Sequence, residues 1–254
     1  MSKIYDALRK AEGDKLRPRR GAKRNAVSKT RMIKKRHMFL KGVDEKFRLA
    51  IMQLRNSIDS EMKQKESRVV MFTSAVKGEG KTTIAVSLAK VLAIGESERI
   101  LLVDCSMINP ELHKLFRLKK NKGILDYLTG EAELREIVQT IESGALDIIT
   151  TGSSKGIDIA QPFFNSDRMD HFVKEVAEVY DYVFFDTSAI LESPETPIIG
   201  SYMDGVVMVI YTGKTRREVV KRAILTVEKL DGRFIGTVLN RKKYYIPDFI
   251  YRRV

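Results

Sequence analysis

The segment that most constrains the fold of this chain spans residues 69–83 and reads V-V-M-F-T-S-A-V-K-G-E-G-K-T-T. A short apolar run is followed by a loop with two glycines, and then by Gly-Lys-Thr and the helix-forming stretch I-A-V-S-L-A-K-V-L-A. A strand, a glycine-containing loop and a helix in this order form a phosphate loop, in which backbone amides turn inward around phosphate oxygens. We therefore expect a buried strand, an anion-binding loop and a helix at this point of the chain.

The rest of the chain alternates short apolar runs with amphipathic stretches. Further apolar runs occur at 100–104, 146–150, 182–186, 205–211 and 234–240. Stretches typical of helices cover 44–62, 82–94, 123–129, 132–142, 166–180 and 215–230. Strands that are apolar throughout are typical of sheets covered on both faces. The pattern predicts an α/β fold of the P-loop NTPase type, with a mostly parallel β-sheet flanked by helices on both faces.

The phosphate loop supplies most of the predicted nucleotide contacts. Lys81 is expected to reach the β- and γ-phosphates, and the hydroxyl of Thr82 is expected to ligate Mg2+. The residues predicted to contact the nucleotide in this segment are Lys77, Gly78, Glu79, Gly80, Lys81, Thr82 and Thr83.

Three polar residues end apolar runs and are further candidates for the nucleotide site. Asp104 closes the run I-L-L-V-D, and Asp186 closes the run Y-V-F-F-D. Ligands of open parallel sheets bind at the carboxyl ends of the strands, so both carboxylates are expected beside the phosphate loop, holding Mg2+ directly or through water. Asn240 ends the last run, and we expect it either to touch adenine, as an asparagine does in related nucleotide-binding folds, or to form a strand-terminating turn.

The positive charge of the chain is concentrated at its start. Residues 1–41 hold 15 basic and 3 acidic side chains, a charge of +12, whereas the remainder holds 31 basic and 30 acidic side chains, a charge of +1. A domain built to bind nucleic acid would carry its excess Lys and Arg in the folded part, so we expect no nucleic-acid partner. Residues 1–41 are predicted to form a docking helix at 2–12 and a basic flexible linker, suited to an anionic membrane or an acidic partner segment. Residues 42–240 are predicted to form the ATP-binding domain, and residues 241–254 a tail that contains tyrosines.

The sequence also bears on where the protein works. Its single cysteine, Cys105, cannot form an internal disulfide, and no apolar run approaches the roughly 18–20 residues that span a bilayer. The first ten residues are charged and mixed rather than an apolar leader. We expect a cytoplasmic protein that reaches the inner face of the membrane through residues 1–41 or through a partner.

Together these motifs resemble the bacterial protein-tyrosine kinases (BY-kinases) of capsule and exopolysaccharide synthesis in their separate cytoplasmic form, which are P-loop ATPases of the MinD/ParA-like superfamily. The resemblance rests on S-A-V-K-G-E-G-K-T-T, L-L-V-D-C-S-M-I-N-P-E-L-H-K-L-F, Y-D-Y-V-F-F-D-T and D-G-V-V-M-V-I-Y-T-G-K-T-R-R-E, and it extends from about residue 43 to the C-terminus. The opening M-S-K-I-Y-D-A-L-R-K-A-E is similar to that of kinases associated with exosortase-type polysaccharide systems.

The resemblance implies a protein-tyrosine autokinase that binds ATP and Mg2+ and regulates the polymerisation or export of an exopolysaccharide. Its catalytic residues would be Lys81, Asp104 and Asp186, with Asp104 orienting or deprotonating the tyrosine and Asp186 lying behind the metal. The implied phosphoacceptors, in the tail of a neighbouring subunit, are Tyr244, Tyr245 and Tyr251. The implied partners are further copies of the chain and a separate membrane polysaccharide co-polymerase.

Departures from the family pattern leave two alternatives open. The motif D-x-D-x-R reads D-C-S-M-I at 104–108, so Ser106 replaces a carboxylate and Ile108 replaces the arginine. Loss of a carboxylate near the metal weakens Mg2+ retention, which favours an ATP-binding regulatory subunit with degraded catalysis. A partitioning ATPase of the ParA/MinD type is the other alternative, although Val76 stands where that type carries an additional lysine.

Overall fold

The computed structural model of the protein describes residues 45–95, 97–119, 121–141, 146–152 and 166–242. The predicted docking helix at 2–12, its linker and the tail tyrosines Tyr244, Tyr245 and Tyr251 lie outside the described residues. Within these ranges, no helix combines the length and the apolar character needed to cross a bilayer.

Seven strands form one sheet. They are β1 (Arg68–Ser74), β2 (Ile100–Cys105), β3 (Val138–Thr140), β4 (Leu146–Ile149), β5 (Tyr182–Ala189), β6 (Gly205–Tyr211) and β7 (Phe234–Asn240). Their order in the sheet is β3-β4-β2-β5-β1-β6-β7, and every neighbouring pair is parallel except β3 and β4. All six strands predicted from apolar runs are present, which confirms the mostly parallel sheet. β2 and β5 are buried along their whole length, because neighbours and helices cover both of their faces.

Eight helices are described around this sheet. They are α1 (Glu45–Glu61), α2 (Lys81–Ala93), α3 (Leu112–Leu115), α4 (Ile124–Leu128), α5 (Leu134–Ile137), α6 (Ser166–Val179), α7 (Glu195–Ser201) and α8 (Arg217–Glu228). The helix that follows the phosphate loop, α2, is apolar on most sides and largely buried. In contrast, α1 buries only one stripe, which includes Ile51 and Ile58.

Three parts of the chain differ from the sequence-based expectation. The short helix α3 was not predicted. The stretch 132–142 was expected to be one helix, but α5 ends at Ile137 and the chain continues as β3, antiparallel to β4. β4 has an open edge there, and the hydrogen bonds of that edge outweigh the weak helix propensity of Val138 and Thr140. The helix α7 was not predicted, because Pro197 and Gly200 disfavour helix; Pro197 is tolerated in the first turn, where backbone N–H groups have no intrahelical acceptor.

The hydrophobic core has one layer on each face of the sheet. On one face α1 and α2 cover Phe72 and Phe184, whose rings meet edge to face at 5.6 Å. On the other face α4, α6, α7 and α8 cover Phe185, which meets Phe172 of α6 at 6.1 Å. Helices on both faces confirm the predicted architecture. Because β1, β2 and β5 are adjacent and parallel, their carboxyl ends open at one edge of the sheet, where ligands of such folds bind.

Candidate functional site: a phosphate loop and two buried aspartates

The phosphate loop connects the end of β1 to the start of α2. Gly78 and Gly80 have φ angles of 85° and 96°, which residues with a Cβ rarely adopt. The helix begins at Lys81, and its first described backbone bond runs from the Ile84 N–H to the Gly80 carbonyl at 3.1 Å. The preceding N–H groups of this first turn have no acceptor within the helix, which suits them to an anion. The loop therefore has the conformation predicted for phosphate binding.

Side chains from distant parts of the chain hold this loop. The Lys77 N–H donates a hydrogen bond to Glu192 Oε1 at 2.7 Å, and the Ser74 hydroxyl donates to the Val76 carbonyl at 2.8 Å. The Glu79 carboxylate is turned into the protein, where it accepts hydrogen bonds. The predicted nucleotide contact of Glu79 therefore rests on its backbone and not on its side chain.

Asn240 lies against the same loop. Its Nδ2 donates to the Glu79 carbonyl at 2.8 Å, and its Oδ1 accepts from the Arg241 N–H at 2.8 Å. A Cβ added at Gly80 would lie 2.1 Å from Asn240 Nδ2, so the close approach of these two residues requires glycine at position 80. β7 ends at Asn240, and the next residue, Arg241, has a φ of 55°, so the chain bends away from the strand here. An adenine contact by the second amide hydrogen of Asn240 stays a prediction.

Asp104 is held by three backbone amides. Its Oδ1 accepts from the Ser106 N–H at 3.1 Å, and its Oδ2 accepts from Glu111 and Leu112 at 3.1 and 3.0 Å. Burial raises the pKa of this carboxyl to about 6, although the three amides and the nearby Lys81 favour the charged form. The side chain is thus fixed in orientation and retains basic character.

Asp186 is fully buried beside Asp104, its register partner on the neighbouring strand. Burial raises its pKa to about 7; Lys81 lowers it, and the charge of Asp104 raises it further. Neither carboxylate oxygen has a hydrogen-bond partner within bonding geometry among the described residues, although the Thr82 hydroxyl is near enough to favour the charged form. A buried carboxylate without protein donors is unusual in folded proteins, and its two acceptor oxygens are suited to a cation.

The donor set fits Mg2+ bound together with a nucleotide. The described part of the chain has no cluster of three or more His, Cys, Asp or Glu side chains able to hold a metal unaided. Mg2+, however, is commonly bound by one or two carboxylates and a hydroxyl, with water and phosphate oxygens completing the shell. Asp186 and Thr82 supply such ligands next to the phosphate loop, and Asp104 lies beside them. The residues present therefore fit the predicted cofactor.

Sequence inspection missed several residues of this site. Glu192 accepts from the loop, whereas Tyr211 and Thr215 donate to Glu79, and all three lie more than a hundred residues from the loop. Thr215 stands just before α8 and resembles a helix cap in sequence, but the cap position is Arg216 and the Thr215 hydroxyl points to the loop instead. No local pattern distinguishes these residues; only the strand order brings them to the loop.

Comparison with known proteins gives one family match and several close relatives. A model of the AAA domain matches residues 67–235. Tyrosine-protein kinase YwqD of Bacillus subtilis is 31% identical over 190 residues, which cover 75% of this chain and 79% of that protein. Tyrosine-protein kinase Etk of Escherichia coli K12 is 26% identical, and the matched region spans 26% of its length.

Solved structures agree with these sequence relatives. The kinase domain of Escherichia coli tyrosine kinase ETK superposes with a TM-score of 0.73 at 25% identity, covering 82% of this chain and 83% of that domain. The septum site-determining protein MinD from Pyrococcus horikoshii, solved with Mg-ADP, superposes with a TM-score of 0.58 at 19% identity over 74% of this chain and 76% of that one. At that identity the likeness to MinD shows a shared fold and no more.

Proposed function

Because the chain contains an AAA domain and belongs to the family of bacterial tyrosine-protein kinases, we propose that it binds Mg·ATP at its phosphate loop and transfers the γ-phosphoryl group to protein tyrosines. The observation that carries this proposal is the bare, buried carboxylate of Asp186 beside Asp104, Lys81 and Thr82. Phosphoryl transfer needs positioning and charge neutralisation more than covalent chemistry, and this site offers both.

Each of the four side chains has a distinct task in this proposal. Lys81 pairs with the β- and γ-phosphates, and Thr82 and Asp186 hold Mg2+. When bound, Mg2+ neutralises charge on the phosphate oxygens. Asp104, which three amides hold rigidly, accepts or orients the hydroxyl proton of the incoming tyrosine. Its pKa of about 6 leaves it mostly ionised at pH 7.5 and still able to accept a hydrogen bond.

The proposed acceptors are Tyr244, Tyr245 and Tyr251 of a neighbouring copy. β7 ends at Asn240 against the phosphate loop, so the tail begins at the nucleotide site. A tail of fourteen residues that starts there is long enough to reach a second subunit's site in an assembly. We propose that the chain forms homo-oligomers in which phosphorylation proceeds between subunits.

The cellular setting follows from the family and the charge. We propose that the kinase works in the cytoplasm at the inner face of the membrane, held by a membrane polysaccharide co-polymerase on a separate chain. There it regulates polymerisation or export of an exopolysaccharide. The +12 charge of residues 1–41 supports peripheral contact with anionic lipid.

The residue at position 106 supports a second candidate function. Ser106 is buried, and its N–H donates to Asp104, so a hydroxyl-bearing side chain follows close after Asp104 where the family pattern has a carboxylate. An ATP-binding regulatory subunit with reduced turnover would have such a site. The partitioning ATPase is disfavoured, because the relative with 31% identity is a tyrosine kinase, whereas MinD shares only the fold.

Incubation of the full chain with Mg·ATP, followed by mass spectrometry of its tyrosines, tests the proposal. We expect phosphate on at least one of Tyr244, Tyr245 and Tyr251, and its loss in Lys81→Ala. Lys229→Ala, which removes an exposed lysine directly after α8, serves as the matched control. Nucleotide binding without any phosphotyrosine, even with the cytoplasmic segment of the co-polymerase present, would favour the regulatory subunit.

A further inference from the structure

Glu79 is the most deeply buried ionisable residue of the phosphate loop. It lies between Gly78 and Gly80, yet only 1% of it is exposed. Ionised side chains are seldom buried unless they are paired or fully hydrogen-bonded, because removal of their hydration is costly. The position of this carboxylate therefore calls for a reason other than contact with solvent or phosphate.

Three donors from three parts of the chain satisfy the Glu79 carboxylate. Oε2 accepts from the Val76 N–H, within the loop, at 3.0 Å. Oε1 accepts from the Tyr211 N–H, at the end of β6, at 3.0 Å. Oε1 also accepts from the Thr215 hydroxyl, just before α8, at 2.5 Å. Hydrogen bonds to an ionised acceptor are roughly twice as strong as neutral ones, so together they fix the loop firmly.

The backbone of the same residue is also held. The Glu79 carbonyl accepts from Asn240 at the end of β7. One loop residue is thus joined to the ends of two strands and to the start of a helix. We call the set Glu79, Val76, Tyr211, Thr215 and Asn240 the loop brace.

We propose that Glu79 is a positioning residue: its carboxylate holds the phosphate loop in the nucleotide-binding conformation before nucleotide arrives. This inference rests on the nucleotide site of the proposed function. Because the carboxylate faces away from that site, it acts on nucleotide affinity through the loop amides. A loop already in the bound shape loses less conformational entropy on binding than a mobile one. The three donors partly compensate the negative charge of the carboxylate. They thereby reduce the repulsion between this carboxylate and the phosphates.

The chemistry of the brace predicts a graded response. Gln at position 79 keeps the shape of Glu, but its NH2 group cannot accept, so at least one of the two backbone N–H donors loses its acceptor. Thr215→Val removes one donor and preserves volume. We expect Glu79→Gln to raise the Kd for Mg·ADP about tenfold and Thr215→Val to raise it about threefold, fold-changes within the range for the net loss of a typical hydrogen bond.

The experiment measures Mg·ADP affinity, the KM for ATP and nucleotide-free melting of the full chain carrying each substitution. Thr226→Val is the matched control, because the Thr226 hydroxyl donates to the Arg222 carbonyl within α8 and has no bond to the loop brace among the described residues. The expected result is weaker ADP binding and a higher KM in both brace variants. A purely structural role would lower the nucleotide-free melting temperature and leave the Kd of the folded protein unchanged, which would overturn the proposal.

Two further comparisons keep the result decisive. If Glu79→Gln does not fold, Thr215→Val decides, and an ADP Kd equal to that of Thr226→Val overturns the proposal. Lys81→Ala separates this inference from the proposed function. If Lys81→Ala weakens ADP binding while both brace variants bind normally, the brace alone is wrong. If Lys81→Ala binds ADP like wild type, the nucleotide site itself is wrong and the brace is rejected with it.

Discussion

At the scale of single residues, Asp104 and Asp186 show how identical side chains at paired positions of neighbouring strands acquire different tasks. Both are buried, and burial raises the pKa of each carboxyl. Asp104 accepts hydrogen bonds from three backbone N–H groups, whereas the oxygens of Asp186 have no hydrogen-bond partner among the described residues. The first is therefore suited to a fixed orientation, and the second to a metal ion that arrives with the nucleotide.

The raised pKa of Asp186 makes stability depend on pH. Its pKa is about 7 in the folded protein, whereas the pKa of an aspartate in an unfolded chain is about 4. The folded state therefore binds more protons between these values, and its stability falls as pH rises through this window. Without nucleotide and Mg2+, we expect lower melting temperatures at pH 8 than at pH 5.

Asp186→Asn tests the cause of this pH dependence. The amide cannot ionise, so the variant should melt above wild type at pH 8 and lose the decline between pH 6 and pH 8, while Asp104 still titrates near its pKa of about 6. Asp170→Asn, at an exposed position of α6, is the control. An Asp186→Asn melting profile parallel to that of wild type across this range contradicts the assignment.

Ser106 offers a second test at the residue scale. It is 2% exposed, and its N–H donates a hydrogen bond to Asp104. Ser106→Asp adds a third buried carboxylate, which should lower stability without metal through like-charge repulsion and should raise tyrosine phosphorylation with Mg·ATP through tighter Mg2+ retention. Phosphorylation rates across Mg2+ concentrations, compared with the uncharged Ser106→Asn, measure this. An unchanged rate in Ser106→Asp would rule out the missing carboxylate as the limiting feature.

At the scale of elements, the junction of β1 and β5 shapes the start of the phosphate loop. The pairing of these strands is irregular between Phe72 and Ser74. Two hydroxyls bridge the irregularity: Thr73 donates to the Ser188 carbonyl at 2.8 Å, and Thr187 donates to the Phe72 carbonyl at 3.1 Å. The change of register at this point lets the backbone leave the sheet and turn into the loop.

The start of α2 gives the prediction that belongs to this scale. Gly80→Ala should cost about 1–2 kcal/mol for a Cβ at positive φ and about 1 kcal/mol more for the displaced Asn240 bond. Gly213→Ala is the matched control, because Gly213 has a φ of 77° but open space around it. Urea unfolding should show a larger loss for Gly80→Ala, and ADP titration should show weakened binding in that variant alone. Equal losses of stability would mean that the contact with Asn240 contributes nothing.

At the scale of the whole molecule, the excess positive charge and the residues of the nucleotide site lie in different parts of the chain. Residues 1–41 carry +12 and the remaining residues +1. A basic segment is attracted to an anionic leaflet by about 1 kcal/mol per Lys or Arg near the surface, and salt screens this attraction. The nucleotide site lies entirely within the nearly neutral part.

Deletion of residues 2–41 should therefore separate localisation from nucleotide binding. We expect the shortened protein to lose co-sedimentation with phosphatidylserine vesicles and to bind Mg·ADP as the full chain does. Phosphatidylcholine vesicles and raised salt are the controls for an electrostatic attraction. If the shortened protein sediments with the anionic vesicles to the same extent, the basic arm is not the membrane contact.

Local sequence patterns were sufficient to predict the main strands and the phosphate loop of this protein. The periods of apolar residues located six of seven strands, and the order of strand, glycine loop and Gly-Lys-Thr located the phosphate loop, because both depend on residues a few positions apart. The aspartates that end the apolar runs 100–104 and 182–186 could be paired in advance, since parallel strands present their carboxyl ends together. The charge of the first 41 residues was equally evident.

Only the tertiary structure decided which distant groups complete the site. Asn240 donates to Glu79 across 161 residues, and Thr215 does so across 136. These bonds exist because β6 lies beside β1, with β7 outside it, and no local period encodes that strand order. Tertiary packing also decides three other features. These are the direction of the Glu79 side chain, the pairing of β3 with the edge of β4, and the lack of hydrogen-bond donors at the oxygens of Asp186. The sequence by itself thus determined where the strand, the phosphate loop and the following helix lie, and the packing of remote strands decided how that loop is held.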